Sequence, residues 1–140
     1  MKKYNGLLAL LFMSPLLFGQ QSNLNIKLNG IEEIKGIIQV AVYNEKETFP
    51  EVDRQYRIAY FDVRSKDMKV TIDDLPNGEY AIALYHDVNG DGICNLNLIS
   101  IPKEPYGFSN NVKPVFSAPT FESTKFALYS DKTIQIDLID

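Results

Sequence analysis

The residues best suited to chemistry are concentrated in one stretch, Asp87-Val88-Asn89-Gly90-Asp91-Gly92-Ile93-Cys94-Asn95. Calcium is a hard cation that takes about six to eight oxygens, and a tight loop supplies them from alternate residues. Asp87, Asn89 and Asp91 stand at the first, third and fifth positions of such a loop, and Gly92 at the sixth allows its sharp turn. Ile93 offers its backbone carbonyl at the seventh position and Asn95 an oxygen at the ninth. Cys94, at the eighth, then points inward as a small apolar residue rather than a reactive thiol. The pattern departs at the twelfth position, where Leu98 replaces the bidentate glutamate of a calcium loop, and Glu104 is the nearest acid to take its place. With two carboxylates the expected affinity is weak, on the order of 10⁻⁴–10⁻³ M. The competing reading is an ordered turn without metal, because Asn, Asp and Gly are also the common turn formers.

Catalytic groups are sparser. The only histidine is His86, and a Ser-His-Asp set would have to join it to Asp87 and to Ser109 or Ser117. On a strand, His86 shares a face with Tyr80, Ile82 and Leu84, while Asp87 points to the opposite side and is badly placed to orient it. Neither serine lies in a nucleophile-elbow pattern. One histidine and one cysteine do not make the usual transition-metal ligand set. The acid pairs Glu32-Glu33 and Asp73-Asp74 sit beside turns and read as solvated acids; glycoside hydrolysis would need them across one cleft. In the stretch Ile101 to Asn111, Pro102 and Pro105 stiffen the chain and Gly107 permits a bend. Tyr106 and Phe108 there are either presented to a carbohydrate or peptide or folded over the sheet as a lid on the core.

The elements that must hold these residues are strands. Leu24, Ile26 and Leu28 alternate with polar residues, as do Met68, Val70 and Ile72, and Ile134, Ile136 and Leu138. A period of two is the mark of a strand with one buried face. Ile37 to Tyr43 and Tyr80 to Tyr85 are apolar on both sides, which predicts central strands, and Arg54 to Val63 and Phe126 to Tyr129 complete the set. Asn29-Gly30, Pro76-Asn77-Gly78 and Ser130-Asp131-Lys132 carry turn chemistry between them. Leu75-Pro76-Asn77-Gly78-Glu79-Tyr80 predicts a corner in which the tyrosine hydroxyl bonds back to upstream backbone. About seven short strands predict an all-β, antiparallel two-sheet sandwich of immunoglobulin-like or transthyretin-like type. The region from residue 86 to 124 breaks the alternation, and long irregular segments in compact domains are usually functional.

Residues 1–20 read differently from the rest. Lys2 and Lys3 precede an apolar run from Leu7 to Phe18 that gives way to Gly19, Gln20 and Gln21. This is the pattern of a secretory signal peptide, cut after Gly19 or Gln20, and the run is short of the roughly 20 residues of a membrane span. The expectation is an exported chain, periplasmic or secreted, with a single domain over residues 21–140. Loss of Lys2 and Lys3 takes the formal charge from −4 to −6. An acidic domain without a basic cluster is unsuited to nucleic acid or anionic lipid. A lone cysteine forms no internal disulfide, so the core must hold the fold.

Taken in order, four stretches resemble a known family. They are Leu75 to Ala83, then His86-Asp87-Val88-Asn89-Gly90-Asp91-Gly92, then Ile101 to Asn110 followed by Pro119 to Phe126. The chain resembles the secreted bacterial proteins of domain of unknown function 2141 over nearly all of residues 21–140. Cys94 and Asn95 depart from that family's pattern, which more often has a polar residue and an Asp. The resemblance implies export, a sandwich fold and importance of residues 86–111; it implies no activity. The residues themselves favour a non-enzymatic binding or accessory module with a protein or carbohydrate partner in the envelope. A periplasmic hydrolase using His86 and a structural envelope protein without metal are the alternatives.

Overall fold

The computed structural model of the chain describes residues 19–98 and 102–140. Most of the expected signal peptide, residues 1–18, lies outside the described residues, as do residues 99–101. Eight strands follow in order: β1 (Gln21–Asn29), β2 (Ile37–Tyr43), β3 (Arg57–Asp62), β4 (Met68–Pro76), β5 (Gly78–Asp87), β6 (Tyr106–Phe108), β7 (Phe126–Leu128) and β8 (Lys132–Asp137). One short helix, α1 (Phe121–Thr124), precedes β7. No helix among the described residues is long and apolar enough to cross a membrane.

The strands form two packed sheets, one ordered β4-β1-β8 and the other β3-β2-β5-β6, with β7 continuing beyond β6 along the same edge of β5. Every pair is antiparallel except β1 with β8. That parallel pair arises because the chain crosses between sheets at Ser130-Asp131 instead of turning back in a hairpin. The Asp131 carboxylate anchors the crossing by accepting the backbone N–H of Asn23.

Alternation decides what each strand buries. Leu24, Ile26 and Leu28 of β1 and Ile38, Val40 and Val42 of β2 are all essentially inaccessible, meeting Val70 and Ile72 of β4 and Ile82 and Leu84 of β5 between the sheets. Each such side chain contributes about 1.5–3 kcal/mol over an exposed one. The Tyr80 hydroxyl donates to the Pro76 carbonyl oxygen, which closes the expected corner between β4 and β5.

The strands β2 and β5 are apolar on both sides because both sides are covered. Their outer residues Ala41, Tyr43, Ala81 and Tyr85 form a second cluster with Phe49, Tyr106, Phe108 and Phe121. The segment from residue 86 to 124 supplies much of that cover. It contains β6, a turn at Ser109–Asn111 and α1. Gly107 lies inside β6, not at a bend: a Cβ there would come within 2.6 Å of Ile136 Cγ2 on β8. The missing side chain therefore lets β6 and β8 close one end of the sandwich, where Tyr106 and Ile139 exchange both backbone hydrogen bonds.

Candidate functional site

Pairing of β2 with β5 sets Ala41 opposite Ala83 and Gln39 opposite Tyr85, and pairing of β5 with β6 adds Phe108 and Tyr106 to the ends of those rows. Cross-strand partners stand about 4.5–5.5 Å apart at Cβ, so each row is one continuous strip of surface. One strip is small at its centre, while its neighbours carry Tyr43 on one side and Tyr85 with Tyr106 on the other. The hollow over the two alanines is the floor of an apolar recess of about 350 Å³.

Three loops build its walls. The first brings Pro50, Glu51 and Val52, the second Cys94, Leu96 and Pro102, and the third Ala118. Phe49 fixes the first loop, packing edge-on to Tyr43 at 5.2 Å between centroids and to Phe108 at 6.2 Å. The Tyr43 hydroxyl donates to the Glu51 carbonyl at 3.0 Å, and the Tyr85 hydroxyl to Gln39 Oε1 at 3.1 Å. Burial pushes the Tyr43 hydroxyl up to about 12, and pushes those of Tyr85 and Tyr106 upward as well. Burial also raises the Cys94 thiol, with Glu104 adding to the effect. The rim is apolar too: Val52 and Leu96 line the recess and are both exposed.

The loop at residues 87–95 leaves the end of β5 and forms part of the second wall. Asp87 is buried, and its carboxylate accepts the backbone N–H groups of Gly90 (2.7 Å) and Asp91 (3.2 Å) on Oδ1 and of Gly92 (2.8 Å) on Oδ2. Gly90 and Gly92, both at φ +72°, allow the chain to wrap around it. Asp91 accepts the Ile93 N–H on Oδ1 and the side-chain amides of Asn89 and Asn95 on Oδ2. The Ile93 N–H, with help from those two amides, holds the Asp91 carboxyl below its usual range. The expected metal residues Asp87, Asn89, Asp91 and Asn95 are thus brought together, but their contacts are with one another and with backbone amides. Among the described residues, no three His, Cys, Asp or Glu side chains are grouped as a metal site needs. Cys94 packs inward against the second cluster, half-buried and free.

Glu104 reaches the same loop from the other side, its Oε1 accepting the Val88 N–H at 3.0 Å. Its Oε2 is buried without a partner among the described residues. It borders a second, polar recess of about 270 Å³ with Glu32, Glu33, His86 and Lys103. His86 itself is 1% exposed and its Nε2 lies 2.7 Å from the Lys35 carbonyl oxygen, so Nε2 carries the proton.

The serines lie elsewhere. Ser109 is fully buried, accepts the Ile82 N–H at 2.9 Å and donates to the Thr124 carbonyl at 2.6 Å. It fills the gap between β6 and β7 along the edge of β5, where no strand among the described residues pairs with Ile82 on that side. Ser117 is exposed, and its hydroxyl contacts the Ala118 carbonyl. No hydrogen bond joins His86 to either serine or to Asp87 among the described residues.

The recess was not legible residue by residue. Its signal was a pair of alanines, Ala41 and Ala83, at outward positions of strands that also carry Tyr43 and Tyr85 on that face. A search of curated proteins and of solved structures finds no match to the chain. The family model described as "uncharacterized protein conserved in bacteria (DUF2141)" matches residues 26–137. The match spans both sheets, the 87–95 loop and every wall of the recess, and the chain belongs to that family.

Proposed function

We propose that this protein is an exported, non-enzymatic binding module whose ligand site is the recess over Ala41 and Ala83. The observation that carries this reading is the opposed alanine pair, which leaves about 350 Å³ open among aromatic side chains on an otherwise packed face. Small-molecule sites are concave, mostly apolar and fixed by a few polar groups. Tyr43, Tyr85 and Gln39 are such groups, held in place by their own hydrogen bonds. An apolar lining favours an apolar group over a sugar, whose hydroxyls would go unpaired. The hydrolase alternative has no comparable support, because Ser109 and His86 serve the backbone. Export rests on the Lys2-Lys3 start and the apolar run to Phe18. The test is a titration of the ¹⁵N-labelled protein with N-phenylnaphthylamine. Saturable shifts centred on Ala41, Ala83 and Tyr85 support the site, and shifts scattered over the surface or absent refute it.

Calcium on the 87–95 loop is a second reading, supported by the convergence of Asp87, Asn89, Asp91 and Asn95 in one hydrogen-bonded loop. A cation would take the place of the Asn89 and Asn95 amide N–H groups at Asp91 Oδ2, both amides turning their oxygens inward. Ile93 would add its backbone carbonyl. Weak calcium would then stabilise the wall of the recess. Melting in EDTA and in millimolar calcium tests this: a rise of several degrees, lost in Asp91→Ala, is the expected result. Identical melting in both would remove the ion.

A further inference from the structure

We infer that the recess takes an uncharged, largely apolar small molecule, and that it rejects anions of the same shape. The inference rests on the reading of the recess as a ligand site and adds the ligand's chemical class.

Charge is the first argument. Among the described residues, the lining contains no Lys, Arg or His, and its one ionic residue is Glu51. The Glu51 carboxylate is exposed and pairs with Arg54 at 2.7 Å. An anion entering an apolar site without a cation loses hydration and gains no partner. The surrounding acids oppose it further: Glu51 and Asp53 act on Tyr43, and Asp87 and Glu104 on Tyr85, to disfavour negative charge at those hydroxyls.

Hydrogen-bonding capacity is the second. The Tyr43 and Tyr85 hydroxyls have spent their protons on the Glu51 carbonyl and on Gln39 Oε1. The Gln39 amide nitrogen and the Tyr106 hydroxyl have no partner among the described residues, so these two, at either side of Tyr85, are the donors available to a ligand. A neutral carbonyl or hydroxyl oxygen meets them. Size is the third: about 350 Å³ is near the lower end of small-molecule pockets, suited to a fused-ring or medium-chain compound.

The experiment compares two fluorescent probes with one carbon framework, neutral N-phenylnaphthylamine and its sulfonate, anilinonaphthalenesulfonate. The neutral probe is expected to bind once per chain, and the sulfonate to bind at least about tenfold more weakly. Because Cys94 lines the recess, saturating neutral probe is also expected to slow alkylation of Cys94 by N-ethylmaleimide in the unmutated protein. Equal or tighter binding of the sulfonate, with Cys94 still protected, overturns the charge selectivity and leaves the site. No saturable binding of either probe, or binding that leaves Cys94 alkylation unchanged, overturns the site itself.

Discussion

Ala41 and Ala83 are direct cross-strand partners on the outer face of the five-stranded sheet. Their methyl groups reach too short a distance to close the space between the tyrosines at Tyr43 and Tyr85. Loops anchored by Phe49 and by the Asp87 turn cover the surrounding face and leave that space open. The recess is therefore a consequence of strand register, with its walls supplied by the loops.

Gly36 is expected to be the least replaceable residue near the loop. It stands at φ +71°, and a Cβ there would lie 2.0 Å from the Asp87 carbonyl oxygen. Gly36→Ala should destabilise the fold by about 3 kcal/mol or more, since backbone on both sides must shift. Urea unfolding checks this, and Gly90→Ala, which meets nothing within 4 Å, should cost about 1–2 kcal/mol through its positive φ alone.

Ser109→Ala should cost about 1–3 kcal/mol, because the buried Ile82 N–H loses its acceptor and the Thr124 carbonyl its donor. Denaturant unfolding gives the figure. Ligand binding should survive, since Ser109 does not line the recess. Loss of a hydrolytic turnover in this variant with stability intact would instead make Ser109 a nucleophile.

Asp87→Ala should release the Gly90 and Gly92 amides together, while the Asp91 N–H keeps Asn89 Oδ1 as its acceptor. Their hydrogen exchange is expected to accelerate at least about tenfold, with a global cost of about 1–2 kcal/mol. Asp87→Asn retains one acceptor oxygen and should fall between the two. Exchange measured by NMR distinguishes this order from a loop held by a single contact.

Alkaline pH should weaken the outer face of the sheet. A free tyrosine ionises near pH 10, whereas burial holds Tyr43 protonated up to about 12. Above pH 10 the unfolded chain releases a proton that the folded chain keeps, so stability is complete below pH 10 and falls as pH rises toward 12. Unfolding midpoints between pH 8 and 11 should show that decline, and Tyr43→Phe should make it shallower.

Strands with one solvated face were fully legible: the alternation of Leu24, Ile26 and Leu28 is the burial pattern of β1. The corner at Pro76 to Tyr80 and the inward face of His86 were legible for the same local reasons. The recess depends on which residue of β2 meets which residue of β5, and that is long-range information. A slip of one residue would oppose Ala41 to Ile82 or Leu84 and fill the hollow. Residues 86–124 looked irregular because β6 has only three residues, too few to display a period. Gly107 read as a bend because sequence shows the missing side chain but not Ile136 pressing against it. Tyr106 and Phe108 lie in an edge strand of the sheet, not in a loop folded over it, and their side chains pack on its outer face and wall the recess. At residues 87–95 the spacing of oxygens was legible, but spacing does not encode whether they face a cation or the loop's own amides.

The most direct test fills the hollow. Ala83→Phe places a ring over the floor of the recess, where Ala83 is only partly covered, so the fold should be retained within about 1.5 kcal/mol. Equilibrium titration with N-phenylnaphthylamine should then show affinity at least about tenfold weaker than the unmutated protein, at an unchanged circular dichroism spectrum. Undiminished affinity in a folded Ala83→Phe protein would contradict the assignment of the recess as the ligand site.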